Sequence, residues 1–532
     1  MTFRATSLAS LRIAAFRRQW IAIMVFNTGH LVLVVASSWL ILEMTGSPLW
    51  VSAMVGAPTF PLLLLALPAG AAADLFNRQK ILTASSALMM SASAGMAFTT
   101  LAEFNSPALL VALGVLLGVG VAFFNPAWQA NVPALVPQHL VPGAISLNSA
   151  SGGVATALGP AVGGLLVATA GPAWAFLAAT TGYAVMLATS HMARPATAES
   201  DIDTVPSAIA GGIRYLRFSD GYLALLLLGS SFGFLSAALR AMLPNLTSEA
   251  LGGDVGLYGT LLAVFGVGAT VGGLTRNHSS RLFGRRVIPL SIISFGLAGV
   301  AVGGVSNTPV VLLGLAISGL LWTWVLATMN SVFQMLTPDW VRGRTMAAFV
   351  LAIFGILPIG ALAAGALGDL VGAPEAVVVF SIAVALLGGI AIRLDLPVLE
   401  EIVPPVMVVE RPKTETYPDS FKGPLMVVST WTMESLEEIE EFGSVLAELR
   451  RLRLATGAYR WNAYRSIDDP TLVSETYVVH SWEHHLQLQH RLDTRGKEII
   501  ERAERFGSSQ QHVNSHLVAF DVSSGDVRRH DR

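Results

Sequence analysis

The sequence predicts an α-helical membrane protein of twelve spans in two six-helix halves, followed by a small α+β, ferredoxin-like domain. Three observations carry that reading. Of 532 residues, 53% are hydrophobic and only 13% charged, against about 25% charged in an ordinary soluble protein. The charges are unevenly spread: residues 1–395 hold 17 Lys/Arg and 13 Asp/Glu, whereas the last 137 residues hold 16 and 22. The charge-poor part also divides into apolar runs, each long enough to cross a bilayer, which takes about 20 residues.

In chain order the runs fall at 20–42, 49–72, 81–102, 107–128, 144–168 and 172–192. After the polar stretch Arg194–Asp220 come 222–246, 256–275, 287–304, 308–335, 345–367 and 375–394. Basic residues cluster on the cytoplasmic side of membrane proteins. With twelve spans and an inside N-terminus, 16 of the 17 basic residues before position 396 fall inside, Arg240 being the exception. The outside loops carry Glu43, Glu103, Glu249, Asp254, Asp369 and Glu375. The expected arrangement is therefore multi-pass, with both termini cytoplasmic and the lipid bilayer as a partner; the resemblance given below implies a bacterial inner membrane. The run after Arg17-Arg18 is too long for a signal-peptide core and is followed at once by another span, so it is expected to stay uncleaved.

These runs divide the chain into an N-terminal bundle (1–193), a cytoplasmic linker (194–220), a C-terminal bundle (221–395), a second linker (396–422) and a cytoplasmic domain (423–532). The absence of cysteine excludes disulfides, thiolate metal sites and cysteine nucleophiles. The net charge of −2 predicts no nucleic-acid partner, and no Walker A sequence is present. Glycines are dense in the spans, as in Gly153, Gly159, Gly163 and Gly164, or Gly266, Gly268, Gly272 and Gly273. Small residues let helices approach closely; they also let bundles slide or rock.

Two six-span halves of about 190 residues suggest a duplicated transporter with a substrate site between the halves. The loop after the second span, Gly70-Ala71-Ala72-Ala73-Asp74-Leu75-Phe76-Asn77-Arg78-Gln79-Lys80, resembles the G-x-L-A-D-R-x-G-R-R/K signature of the major facilitator superfamily. It keeps Gly70, Ala73, Asp74, Arg78 and Lys80 but has Leu75 and Asn77 where Arg and Gly are usual. The equivalent loop of the second half keeps Arg281, Arg285 and Arg286 without the acidic residue. Such a loop is a charge latch: a carboxylate at a helix end pairs with Arg and with a neighbouring helix N-terminus, favouring one packing of the bundles. Gly70, Asp74, Arg78 and Lys80 are the candidate latch residues, with topology enforcement the plainer role of the two basic ones.

Further stretches narrow the resemblance: Ala36-Ser37-Ser38-Trp39-Leu40, Asn125-Pro126-Ala127-Trp128-Gln129-Ala130, Gly171-Pro172-Ala173-Trp174 and Pro338-Asp339-Trp340-Val341-Arg342-Gly343-Arg344. Together they are similar to the bacterial branch related to the enterobactin exporter, the transmembrane secretion effectors. The resemblance implies a twelve-span major facilitator fold, alternating access, and export of a small molecule (siderophore, drug or metabolite) against a proton gradient. Ionisable groups inside spans are costly and therefore suspect. Here they are few: His30 lies mid-span, Arg240 lies toward the outer half of the seventh span, and Glu43 sits at a span end. The candidate substrate or proton pathway comprises Asn27, His30, Asn148, Arg240, Asn330 and Gln334. For His30 the alternative is a neutral ring bonded to a neighbouring helix; for Arg240, a side chain reaching the outer interface.

After the proline-rich linker Val403–Pro418, the tail alternates strand and helix: strand 425–432, helix Ser435–Arg453 opening on a capping box, strands 459–466 and 472–481, helix Glu483–Phe506, and strand 512–522. The order βαββαβ implies a ferredoxin-like sandwich. The pattern resembles the dimeric αβ-barrel group that includes small antibiotic-biosynthesis monooxygenases, which implies a homodimer through this domain or a regulatory role. Seven of the eleven histidines lie in the tail, His484, His485 and His490 close together, but without metal-ligand spacing. No metal, cofactor or catalytic residue is assigned. Two other readings remain: a membrane-tethered monooxygenase-like enzyme, and a transporter-derived sensor acting through the tail.

Overall fold

Helix forms wherever the sequence is apolar for long enough. The computed structural model describes residues 9–191, 214–219, 221–338, 341–394, 424–492, 494–506 and 513–518. Among these are twelve helices long and apolar enough to cross a membrane. Spans 1 to 6 are Ala14–Thr45, the pair Pro48–Gly56 and Phe60–Leu75, Arg78–Leu101, Pro107–Asn131, Val141–Ala170 and Pro172–His191. Spans 7 to 12 are Tyr222–Ala241 continued by Leu243–Glu249, then Val255–Phe283, Val287–Gly304, Thr308–Leu336, the pair Arg342–Val350 and Leu357–Val371, and Ala373–Ala391.

Their ends follow from local chemistry. Ser47 and Ser106 cap spans 2 and 4 by accepting from Trp50 N and Leu109 N, each with proline at the first helical position. Span 1 stops at Gly46, whose φ of 61° is a left-handed conformation that favours glycine. Three spans read as single runs are interrupted. Span 2 breaks between Gly56 and Phe60, where Pro58 and Pro61 remove backbone donors, and span 7 breaks before Pro244. Span 11 carries a π-type turn, Leu351–Gly355, just before Pro358.

The chain separates into two compact units. The first holds the spans. Within its halves, span 1 packs on spans 5 and 6, span 3 on spans 4 and 6, and span 9 on span 12. The halves meet through span 5 against span 8 and span 2 against span 11.

The second unit centres on the tail. Its strands β1 (Leu425–Thr432), β2 (Arg460–Arg465), β3 (Leu472–Val479) and β4 (Val513–Val518) form one antiparallel sheet in the order β2-β3-β1-β4. That is the ferredoxin-like order. Helix α1 (Leu436–Thr456) begins on the expected cap: Ser435 accepts from Glu438 N, while the Glu438 carboxylate accepts from Glu434 N. The second tail helix is not one element but two, α2 (Trp482–His490) and α3 (Thr494–Glu504). The break follows from two separate cores. Leu488 of α2 packs with Leu425, Val427, Tyr477 and Val479. Ile499 and Ala503 of α3 pack with Trp431, Phe442, Val445 and Leu449.

Candidate functional site in the helical bundle

The candidate latch lies where spans 2, 3 and 4 end. Arg78, the first residue of span 3, directs its guanidinium to two helix C-termini. Its Nε donates to Ala73 O of span 2 (3.4 Å) and its Nη1 to Ala130 O of span 4 (3.3 Å). A cation there complements the negative ends of two helix dipoles. Asn77, a departure from the family signature, is the cap of span 3: its Oδ1 accepts from Gln79 N (2.9 Å) and Lys80 N (3.3 Å). The Lys80 side chain is exposed, and a Cβ at Gly70 would meet nothing within 4 Å. Asp74 closes the helix of span 2; its side chain lies outside the described residues.

In the first half, an aromatic ladder joins two of the predicted pathway residues. The Nδ1 of His30 lies 2.9 Å from the hydroxyl of the fully buried Tyr183 on span 6. Tyr183 meets Phe26 edge-on (5.1 Å between ring centres), and Phe26 stacks on Phe124 (4.5 Å). Phe124 stacks on Trp128 (6.1 Å), whose indole N–H donates to Asn148 Oδ1 of span 5 (2.9 Å). His30 and Asn148 are thus ends of one train of side chains across spans 1, 6, 4 and 5. Asn27 is half-buried on span 1 and has no hydrogen-bond partner among the described residues. Asn330 and Gln334 bond each other along span 10 (2.6 Å), a helix-internal contact rather than an interhelical one.

In the second half, Arg240 turns inward to aromatic rings. Its guanidinium carbon sits 5.8 Å from the centre of Phe265 on span 8 and 6.0 Å from Trp322 on span 10. Trp322 in turn meets Phe354, in the π-type turn of span 11, edge-on at 6.4 Å. Tyr258 of span 8 stacks on Trp39 of span 1 (6.0 Å), an aromatic contact between the two halves.

The halves touch along two seams. On one, a Cβ at Gly164 would lie 2.7 Å from Val255 O and 3.1 Å from the Gly259 Cα, so only glycine permits this approach. On the other, a Cβ at Gly56 would lie 3.2 Å from the Pro358 Cβ, and one at Gly365 would lie 2.8 Å from the Ser52 Cβ. Asp369, at the end of span 11, seals this seam. Its carboxylate accepts from Ser47 Oγ (3.0 Å) and Leu49 N (3.2 Å) at the N-terminus of span 2. The glycines dense in the spans do pack closely: Gly159 and Gly163 against span 1, Gly266 against Thr156, and Gly268 and Gly272 against span 10.

The described tail histidines fall into pairs rather than one cluster, His480 with His484 (5.7 Å between ring centres) and His485 with His516 (4.9 Å). His484 Nδ1 lies 2.8 Å from Ser481 Oγ, His480 stacks on Tyr459 (4.6 Å), and His485 Nε2 meets His516 Nε2 (3.2 Å). The His490 side chain lies outside the described residues. Among the described residues no three His, Asp or Glu side chains gather to hold a metal. Burial first, then the neighbouring His516 and Arg453, push the His485 pKa down to about 3. Beside them, the fully buried Glu475 accepts from Trp461 Nε1 (2.7 Å) and Arg453 Nε (3.4 Å).

The residues missed in the sequence are the partners: Tyr183, Phe265, Trp322, Tyr258 and Asp369. An aromatic residue in an apolar span carries no periodic signal that distinguishes a ring facing a histidine or arginine from one facing lipid.

Twelve spans in two packed halves define the major facilitator fold class. Solved structures share the fold: a bacterial homologue of the human lysosomal transporter Spinster in an inward-facing conformation has a TM-score of 0.57 at 14% identity, covering 71% of this chain and 95% of that one. A D-xylose-proton symporter has a TM-score of 0.56 at 13% identity, covering 72% and 98%. Within that class the chain belongs to the transmembrane secretion effector family, which matches residues 5–523. The multidrug efflux pump Tap of Mycolicibacterium fortuitum is 26% identical over 382 residues, 69% of this chain and 92% of the pump. The enterobactin exporter EntS of Shigella boydii is 27% identical over 353 residues, 62% of this chain and 77% of the exporter. The family and these relatives make the chain a multi-pass membrane transporter rather than an enzyme.

Proposed function

We propose that this protein exports a small molecule from a bacterial cell across the inner membrane, by alternating access coupled to proton entry, with both termini in the cytoplasm. The observation that carries the reading is the placement of the inter-half contacts. Span 2 meets span 11 from Pro48 against Gly368 as far as Leu63 against Gly355, and span 5 meets span 8 from Gly164 to Gly153. The described contacts thus run from the end that carries Asp369 toward the middle, while the loop of Arg78 and Lys80 lies at the other end. Two halves pressed together at one end are one of the two states that rocking requires. The pathway would pass between the His30 to Asn148 ladder and the Arg240 cluster. The Gly70, Asp74, Arg78 and Lys80 loop would act as the latch at the far end. The names of two relatives, a multidrug efflux pump and an enterobactin exporter, support export of a small molecule. The tail would pair two copies through the sheet face bearing Met426, Tyr464 and Leu517, all exposed.

The test is uptake into inverted vesicles under an imposed proton gradient, screened across siderophores, dyes and antibiotics. Gradient-dependent accumulation of at least one, abolished by an uncoupler, is expected; accumulation indifferent to the gradient rejects proton coupling. In the same assay His30→Gln is expected to lower the gradient-driven rate, and an unchanged rate removes His30 from the proton path.

A further inference from the structure

Arg240 is a cation in an apolar span, and among the described residues nothing neutralises it. Holding a guanidinium at such depth costs several kcal/mol unless it is paired or hydrated. Contacts with the faces of Phe265 and Trp322 stabilise it by about 0.5–2 kcal/mol each without cancelling its charge. Among the described residues it has no hydrogen bond and no carboxylate within ion-pair distance. Four acids at this end of the bundle are engaged elsewhere. Glu43 accepts from the Trp39 indole N–H (2.7 Å), and Glu249 accepts from Asn245 and from Ala373 N. Asp254 caps span 8 through Leu257 N, and Asp369 binds Ser47 and Leu49.

The surroundings are equally particular. Phe265, Trp322 and Phe354 form consecutive ring contacts at 6.2 and 6.4 Å, drawn from spans 8, 10 and 11. Arg240, Trp322 and Phe354 are each only half-buried, so the cation and two of its rings can be reached. A guanidinium with five free N–H donors binds a carboxylate through two parallel hydrogen bonds, and the rings beside it offer faces to a flat apolar body.

Building on the transporter reading above, we infer that Arg240 is the recognition point for an anionic aromatic substrate: it binds the carboxylate, while Phe265, Trp322 and Phe354 pack against the ring. The chain leaves the charge unmatched because the substrate supplies its counter-ion. Neutral molecules of the same shape gain only the ring contacts.

Equilibrium dialysis of the purified full-length protein with radiolabelled salicylate, and with salicylamide as its neutral isostere, tests this. The wild type is expected to bind salicylate at least about tenfold more tightly than salicylamide, a difference typical of one charge-assisted contact. Arg240→Gln should weaken salicylate at least about tenfold and leave salicylamide unchanged. Arg240→Lys, which keeps the charge but loses the planar fork, should fall between and serves if the glutamine variant does not assemble. Equal salicylate binding by wild type and Arg240→Gln, or no preference of the wild type for salicylate over salicylamide, overturns the inference. Gradient-driven uptake of radiolabelled salicylate into inverted vesicles, measured in parallel, separates the two readings. Arg240-dependent salicylate binding without any gradient-driven flux would sustain the site and reject proton-driven export.

Discussion

Arg78 occupies the position where a single guanidinium does most for the packing of three spans. Bonds to Ala73 O and Ala130 O place its charge at two helix C-termini, each worth about 0.3–1 kcal/mol. Arg78→Gln is therefore expected to lower transport about fivefold, the factor for about 1 kcal/mol. Membrane insertion, judged by expression and gel filtration, should be unchanged. Asp74→Asn should act in the same direction if the loop is a latch; wild-type turnover in that variant would sink the latch reading. In the tail, His485 carries a second residue-scale prediction. Its ring is 2% exposed and its pKa lies at about 3, below the ordinary 6.5 of the unfolded chain. Above pH 6.5 both states are neutral and stability is full. Below it the unfolded chain takes up a proton that the folded one refuses, so stability falls by about 1.4 kcal/mol per pH unit. Hydrogen exchange in 425–432 and 472–479 of the full-length protein, corrected for intrinsic rates, should be about tenfold faster at pH 5.5 than at 7.5. His485→Gln should flatten this dependence, and a flat wild-type profile would refute it.

The seam between spans 5 and 8 shows what one helix face demands of its residues. Gly164 admits no side chain because Val255 O and the Gly259 Cα lie where its Cβ would be, whereas a Cβ at Gly152, on the same helix, meets nothing within 4 Å. Gly164→Val is expected to force the halves apart, lowering thermal stability by the roughly 1–3 kcal/mol typical of overpacking and stopping transport. Gly152→Val should be tolerated on both counts, and equal behaviour of the two variants in a melting and flux comparison would contradict the seam. Elements of this kind are legible to different depths. All twelve spans follow from length and apolarity, and the βαββαβ order of the tail from alternation. The interruptions at Ala57–Thr59 and Leu351–Gly355 escape that reading because a proline or a π-type turn leaves mean apolarity unchanged. The break between α2 and α3 is set by two cores rather than by local propensity. Which glycine faces a helix is readable only as density, and which ring faces His30 or Arg240 is not readable at all, because both depend on contacts between spans far apart in sequence.

At the scale of the whole molecule, transport by rocking needs the Asp369 seam to open once per cycle. Hydrogen bonds to Ser47 Oγ and Leu49 N hold the end of span 11 on the start of span 2. Net contributions of such bonds are about 0.5–1.5 kcal/mol each, rising to 1.5–3 for a charged acceptor, so the contact is strong enough to bias one state and weak enough to break thermally. The protein contains no cysteine, which makes an introduced pair the only source of a disulfide. Ser47→Cys with Asp369→Cys puts one sulfur at the Ser47 hydroxyl position and the other at the Asp369 carboxylate carbon, one bond behind the oxygen that now lies 3.0 Å from that hydroxyl, so a bridge requires the ends of spans 2 and 11 to stay together. Oxidation is expected to join spans 2 and 11 and to stop gradient-driven flux, and a reductant should restore it. The reduced double variant controls for loss of the hydrogen bonds and of the Ser47 cap, which is worth about 1 kcal/mol. Flux in the reduced protein that vanishes on oxidation ties turnover to opening at this end. A fully cross-linked protein that transports as fast as its reduced form would mean that the seam stays shut throughout the cycle, and the rocking mechanism proposed here would have to be abandoned.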